Sequence, residues 1–179
     1  MINADLKGLL IEKSNLLSED EKIFLSSIIE NFKPETTPGT SENYYFRQFI
    51  EGEEMLASIE KFLGKISNTL THDFFYPHAK LEGMWVNRVD NTSNQNDNFH
   101  RDINKFSSVT FLNDDFTGGN FEYWDIISNE SRLITPKYLD TVIFEGSRIP
   151  HRVQPVTEGV RYTLVSFWNL ESKTFTTLL

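Results

Sequence analysis

The sequence predicts a mainly β protein, a double-stranded β-helix or jelly roll of two facing sheets, braced by N-terminal α-helices. Two observations carry this. From Leu81 onward, short apolar and β-branched runs recur at regular spacing between turn residues, the pattern of a sandwich or barrel. Before that point the apolar residues recur at helical spacing instead. The texture changes near Leu70, so we expect a single domain over 1–179, with helical support over 1–69 and the jelly-roll core over 70–179.

In order, residues 4–33 place Leu6, Leu9, Leu10, Leu16, Leu17, Ile23, Phe24, Ile28 and Ile29 on helical faces. Ser18 followed by Glu21 resembles a capping box, which divides the stretch into two helices near residue 17. Pro34 and Pro38 mark a linker. A further helix is predicted over 42–63, with Phe46, Phe49, Ile50, Met55, Leu56, Ile59, Phe62 and Leu63 as its apolar face. Pro77 stops any continuation. Strands are expected at Leu81–Val89, Phe106–Leu112, Asn120–Asp125, Ser131–Thr135, Leu139–Phe144, His151–Pro155 and Arg161–Trp168. In the first of these, Met84 and Val86, with Val89 as a further candidate, are expected to face away from Trp85. Gly118 and Gly119 suit a turn with φ > 0. Asp90–Asn98 has no apolar side chain and reads as a solvated loop.

At 179 residues, with 39% hydrophobic and 24% charged content, the chain suits one soluble domain. A formal charge of −9 disfavours nucleic-acid and anionic-membrane binding. The absence of cysteine excludes disulfides, thiolate zinc sites and cysteine nucleophiles. No apolar run reaches the roughly 20 residues of a membrane span, and the N-terminus lacks a secretory pattern. A cytoplasmic protein is expected.

The chemistry concentrates in His100-Arg101-Asp102 and in His151, which lies 51 positions after His100. Residues i and i+2 of a strand share a face, so His100 and Asp102 can grip one ion from one side. Two imidazoles and one carboxylate with open positions opposite are the donor set of non-haem Fe(II) oxygenases. His-Arg-Asp also opens a protein-kinase catalytic loop, but the required Asn is here Ser107. Arg161 follows His151 by ten residues and offers a two-pronged donor to a carboxylate. Arg101 and Arg152, each next to a ligand, should point away from the metal.

The segment from Leu81 to Asn169 resembles the Fe(II)- and 2-oxoglutarate-dependent dioxygenases, prolyl 4-hydroxylase-like branch. The residues that carry the resemblance are His100-Arg101-Asp102, Val109–Asn113 running into Phe116–Phe121, Val142-Ile143-Phe144, His151–Val156 and Gly159–Leu164.

The resemblance implies Fe(II) on His100, Asp102 and His151, with 2-oxoglutarate as cosubstrate and Arg161 holding its distal carboxylate. It also implies O2 consumption, ascorbate as a supporting reductant, release of succinate and CO2, and hydroxylation of a C–H bond in a peptide, protein or small molecule. The family often supplies a 2-oxoglutarate-binding Tyr before the first His. Here Val89-Asp90 stands near that place, so Thr163 or Tyr123 is expected to provide the hydroxyl. The family also usually has Gly where this chain has Leu139, which implies a different turn. The Asp90–Asn98 loop, next to His100, is expected to handle the primary substrate. A cupin-like metal-binding protein, isomerase or sensor without oxygen chemistry is the alternative, and it has no need of Arg161.

Overall fold

The computed structural model describes residues 9–33, 46–93, 98–135 and 137–170, with the side chain of Phe46 left out. In chain order the elements are β1 (Leu10–Ser14), α1 (Glu19–Glu30), β2 (Phe46–Phe49), α2 (Glu53–Ala57), α3 (Glu60–His72), β3 (Ala79–Asp90) and β4 (Phe106–Phe111). They continue with β5 (Thr117–Gly118), β6 (Phe121–Asp125), β7 (Glu130–Ile134), β8 (Asp140–Phe144), β9 (His151–Val153), β10 (Val156–Glu158) and β11 (Val160–Leu170). A six-stranded antiparallel sheet runs β1-β8-β4-β11-β3-β2, beside a three-stranded sheet β7-β6-β9 and the pair β10-β5. This is the mainly β, double-stranded β-helix architecture expected from the strand spacing.

Alternation along the strands of the large sheet divides its side chains into two layers. Met84, Val86, Phe106, Ile143, Leu164 and Trp168 face one way, packing with Leu25 and Ile28 of α1 and with Phe62, Ile66 and Leu70 of α3. Val109, Phe111, Val142, Phe144 and Val165 face the other way, towards Phe121 of β6 and Ile134 of β7. The helices therefore cover the outer face, and the inner face is left to the second sheet and to the site between the two.

The N-terminal third departs from the helical reading in two places. Leu10–Ser14 is an edge strand, aligned residue for residue with Phe144–Asp140 of β8. A short apolar run fits either period, and the open edge of β8 decides in favour of pairing. Likewise, Phe46–Phe49 extends the sheet by pairing with Arg88–Trp85. Gly52 at φ +85 then breaks the predicted 42–63 helix, leaving α2 and α3 in its place. Residues 4–8, the linker 34–40 and residues 42–45 lie outside the described residues, as do residues 94–97 of the polar loop.

The capping box is present. The Ser18 amide donates to Glu21 Oε2 at 2.7 Å. Glu21 is itself buried, and its other oxygen accepts the Phe62 amide at 2.6 Å. One carboxylate thus serves the N-terminal turns of two helices, where unpaired N–H groups and the helix dipole favour it.

Candidate metal centre and cavity

β9 carries His151, and the segment before β4 returns alongside it to place His100. The two residues form an antiparallel bridge with reciprocal backbone hydrogen bonds of 2.9 Å each. Asp102 is anchored by its amide donating to the Gly146 carbonyl at 3.0 Å. His100 Nε2 lies 3.9 Å from Asp102 Oδ1, and His151 Nε2 lies 3.5 Å from Asp102 Oδ2. All three donor atoms fall within 4.8 Å of one another. Two donors on one ion at about 2.1 Å stand at most about 4.2 Å apart, so the set closes on an ion with only a small movement.

The tautomers suit this. His151 Nδ1 faces the Ile149 carbonyl at 2.9 Å, and His100 Nδ1 faces that of Asn98 at 3.3 Å. Each carbonyl holds the proton on Nδ1 and leaves Nε2 free to ligate. Burial holds the His151 imidazole below its ordinary pKa, against the upward pull of the Asp102 carboxylate and the Ile149 carbonyl. The neutral, ligating form is favoured.

Ser107 donates its hydroxyl to Asp102 Oδ2 at 2.5 Å and orients the carboxylate. A side chain at Gly146 would collide with this pair, since its Cβ would lie 2.4 Å from Ser107 Oγ and 2.7 Å from Asp102 Oδ2. The space is kept open for the carboxylate by the absence of a side chain, and the residues fit a metal ion held through one His-Asp-His face.

The three residues line a cavity of about 260 Å³ between the sheets, together with Arg161 and Thr163 from β11 and Trp85, Asn87 and Val89 from β3. Arg161 is buried, and its Nη1 donates to the Gly119 carbonyl at 3.1 Å. Gly119 adopts φ +63, and a Cβ there would press on Phe116, Val156 and Arg161 itself, so glycine is required on both counts. The other expected hydroxyl, that of Tyr123, is not among those lining the cavity. Tyr123 sits opposite His151 in β6 but is buried in the apolar cluster with Ile134 and Leu10. Arg152 pairs with Glu122 at 2.7 Å, as expected of a side chain pointing away from the metal.

Ser107, Gly146, Asn87 and the cavity-lining Arg47 were not singled out from the sequence. Of these, Asn87 had a visible signal: a polar residue in phase with Trp85. Val89, a candidate for the Met84 face, lines the cavity with Trp85 and Asn87 instead, as two-residue alternation requires.

Residues 84–169 match the family model of the 2OG-Fe(II) oxygenase superfamily. Over these residues, just under half of its length, the chain is similar to the 2OG-Fe(II) oxygenases. The oxygenases of this family are enzymes that use Fe(II), 2-oxoglutarate and O2, and the His-Asp-His cluster supplies this chain with a matching donor set.

Solved structures share the fold at low identity. A Pseudomonas putida prolyl-4-hydroxylase superposes with a TM-score of 0.70 at 13% identity, covering 93% of this chain and 95% of that one. A prolyl hydroxylase from Trichoplax adhaerens, in complex with a hypoxia inducible factor oxygen degradation domain peptide fragment, gives 0.69 at 15%, covering 92% and 84%. HygX from Streptomyces hygroscopicus, with nickel and 2-oxoglutarate bound, gives 0.64 at 11%, covering 93% and 84%. No curated protein sequence matches the chain. Among the described residues, no helix is long and apolar enough to cross a membrane.

Proposed function

We propose that the protein hydroxylates a C–H bond of a prolyl residue in a peptide or protein, or of a small molecule, coupled to conversion of 2-oxoglutarate and O2 into succinate and CO2. His100, Asp102 and His151 hold the Fe(II). Arg161 takes the distal carboxylate of 2-oxoglutarate through its guanidinium, and Thr163, two residues along the same strand face, adds a hydroxyl. When bound, the iron and the 2-oxo acid supply the oxidising chemistry. The chain's own residues orient the carboxylate ligand through Ser107, favour the neutral His151 imidazole by burial, and exclude water behind Phe121 and Phe144.

The observation that carries this is the burial of Arg161 in the same cavity as the His-Asp-His cluster. A buried guanidinium beside the cluster suits a site that takes a dicarboxylate, which favours this reading over a cupin-like sensor or isomerase. The peptide bound to the Trichoplax adhaerens enzyme supports a peptide substrate. We read 1–179 as one domain, because β1 and β2 from the first third complete the large sheet. The test is incubation of purified protein with Fe(II), 2-oxoglutarate, ascorbate and a peptide library, following succinate and peptide mass. A +16 Da product with matching succinate supports the proposal, and succinate formation unaffected by any peptide counts against a peptide substrate.

A further inference from the structure

The inner face of the large sheet carries a second polar group, away from Arg161. Asn87 stands between Thr163 and Arg47 in one row across β11, β3 and β2. In the next row Trp85 stands between Val165 and Phe49. The Trp85 ring is held on several sides, stacked on Phe167 at 4.7 Å, edge-on to Phe49 at 5.5 Å and under the Arg47 guanidinium at 4.7 Å. Its position, and so the direction of its N–H, is defined.

Trp85 Nε1 and Asn87 Oδ1 are both buried with no hydrogen-bond partner among the described residues, and both residues line the cavity. A buried donor or acceptor left without a partner is costly, so a pair of them on one cavity wall calls for a ligand. One needs an acceptor and the other needs a donor.

2-Oxoglutarate answers only half of this. Its carboxylates and ketone are all acceptors, and none can satisfy Asn87 Oδ1. Arg161 also leaves the sheet two strands and one row away from Arg47, about 12 Å between backbones at the usual strand spacing and rise. A carboxylate beside an N–H⁺ donor satisfies both atoms. The Arg47 guanidinium over the Trp85 ring favours a charged carboxylate at this end of the cavity over a neutral peptide carbonyl.

We propose that the β2–β3 end of the cavity binds the head group of the primary substrate, a free α-amino acid, with its carboxylate on Trp85 Nε1 and Arg47 and its ammonium on Asn87 Oδ1. This rests on the oxygenase assignment above and narrows its substrate to a small molecule.

The test is calorimetry on the protein loaded with Mn(II) and 2-oxoglutarate, titrated with L-proline and then each other standard L-amino acid. For any that binds, the amide and the N-acetyl derivative follow. We expect at least one amino acid to bind, and both derivatives to bind about tenfold more weakly or worse, the loss of one charge-assisted hydrogen bond. Trp85→Phe, which keeps the ring and removes the N–H, should weaken the amino acid by about tenfold while 2-oxoglutarate affinity changes less than about threefold. Arg47→Met, on an edge strand, gives an independent check with the same expected split. Binding of the amide as tight as that of the acid overturns the proposal in favour of a peptide. Equal weakening of 2-oxoglutarate in both variants overturns it in favour of the cosubstrate. Absence of any amino-acid binding to a protein that does bind 2-oxoglutarate also overturns it. Failure of 2-oxoglutarate to bind the Mn(II)-loaded wild type would instead sink the oxygenase assignment.

Discussion

His100 and His151 exchange both backbone hydrogen bonds, amide to carbonyl in each direction at 2.9 Å. This single bridge puts two imidazoles 51 positions apart in sequence side by side, with ring centroids 4.5 Å apart. Because directly opposed residues of an antiparallel pair share a face, the backbone sets the metal face before any ion arrives. The third donor, Asp102, depends on a different contact, its close approach to Gly146.

Gly146→Ala should therefore weaken metal binding without unfolding the protein. The added methyl would meet Ser107 Oγ at 2.4 Å and Asp102 Oδ2 at 2.7 Å, and the mobile partner is the carboxylate. Disturbing the groups that orient a ligand typically costs about ten- to a hundredfold in metal affinity. Mn(II) titration by calorimetry measures it, with thermal unfolding of the metal-free protein as control. Wild-type affinity in the variant would mean that Asp102 does not ligate from this position.

Arg161→Met should weaken 2-oxoglutarate by about ten- to a hundredfold, the loss of a charge-assisted contact, and leave Mn(II) affinity nearly unchanged. The Michaelis constant for 2-oxoglutarate in a succinate assay reports this. An unchanged constant would place the carboxylate anchor elsewhere in the cavity.

Much of the core was legible because strand alternation and two-residue spacing are local. His100 and Asp102, the Gly118-Gly119 turn, and the opposite faces of Trp85 and Met84 each follow from neighbours in the chain. What was illegible depends on distant partners. Leu10–Ser14 became a strand because β8 offered an open edge, and nothing within those five residues selects a strand over a helix. Ser107 and Gly146 matter only because the fold brings both against Asp102. Tyr123 was a reasonable candidate by type and phase, yet Phe121 rather than Tyr123 lines the cavity.

Leu139 takes φ +66, the left-handed region, while its side chain is buried. Leu139→Gly would relieve about 1–2 kcal/mol of backbone strain but lose a buried leucine worth about 2–5 kcal/mol. Packing should win, giving net destabilisation in urea denaturation. A more stable variant would mean that the leucine contributes little to the core.

Asp90 closes β3 by accepting from the Thr92 hydroxyl at 2.6 Å and from Arg88 at 2.7 Å. The Thr92 hydrogen bond is the largest cause holding its carboxyl down at about 2, below its ordinary 3.8. A depressed carboxylate contributes stability that is present above its unfolded value and is lost as pH falls through the folded one. Between about pH 4 and pH 2, the wild type should therefore lose stability faster than Asp90→Asn. Parallel acid-denaturation curves for the two would contradict this.

The oxygenase chemistry itself is tested most directly by the fate of the oxygen atoms. Wild-type protein with Fe(II), ascorbate and 2-oxoglutarate under ¹⁸O2 should release succinate carrying one ¹⁸O atom, and Asp102→Ala, folded but without its carboxylate ligand, should release none above background. Unlabelled succinate, or equal labelled succinate from both proteins, would contradict the assignment of His100, Asp102 and His151 as the iron site.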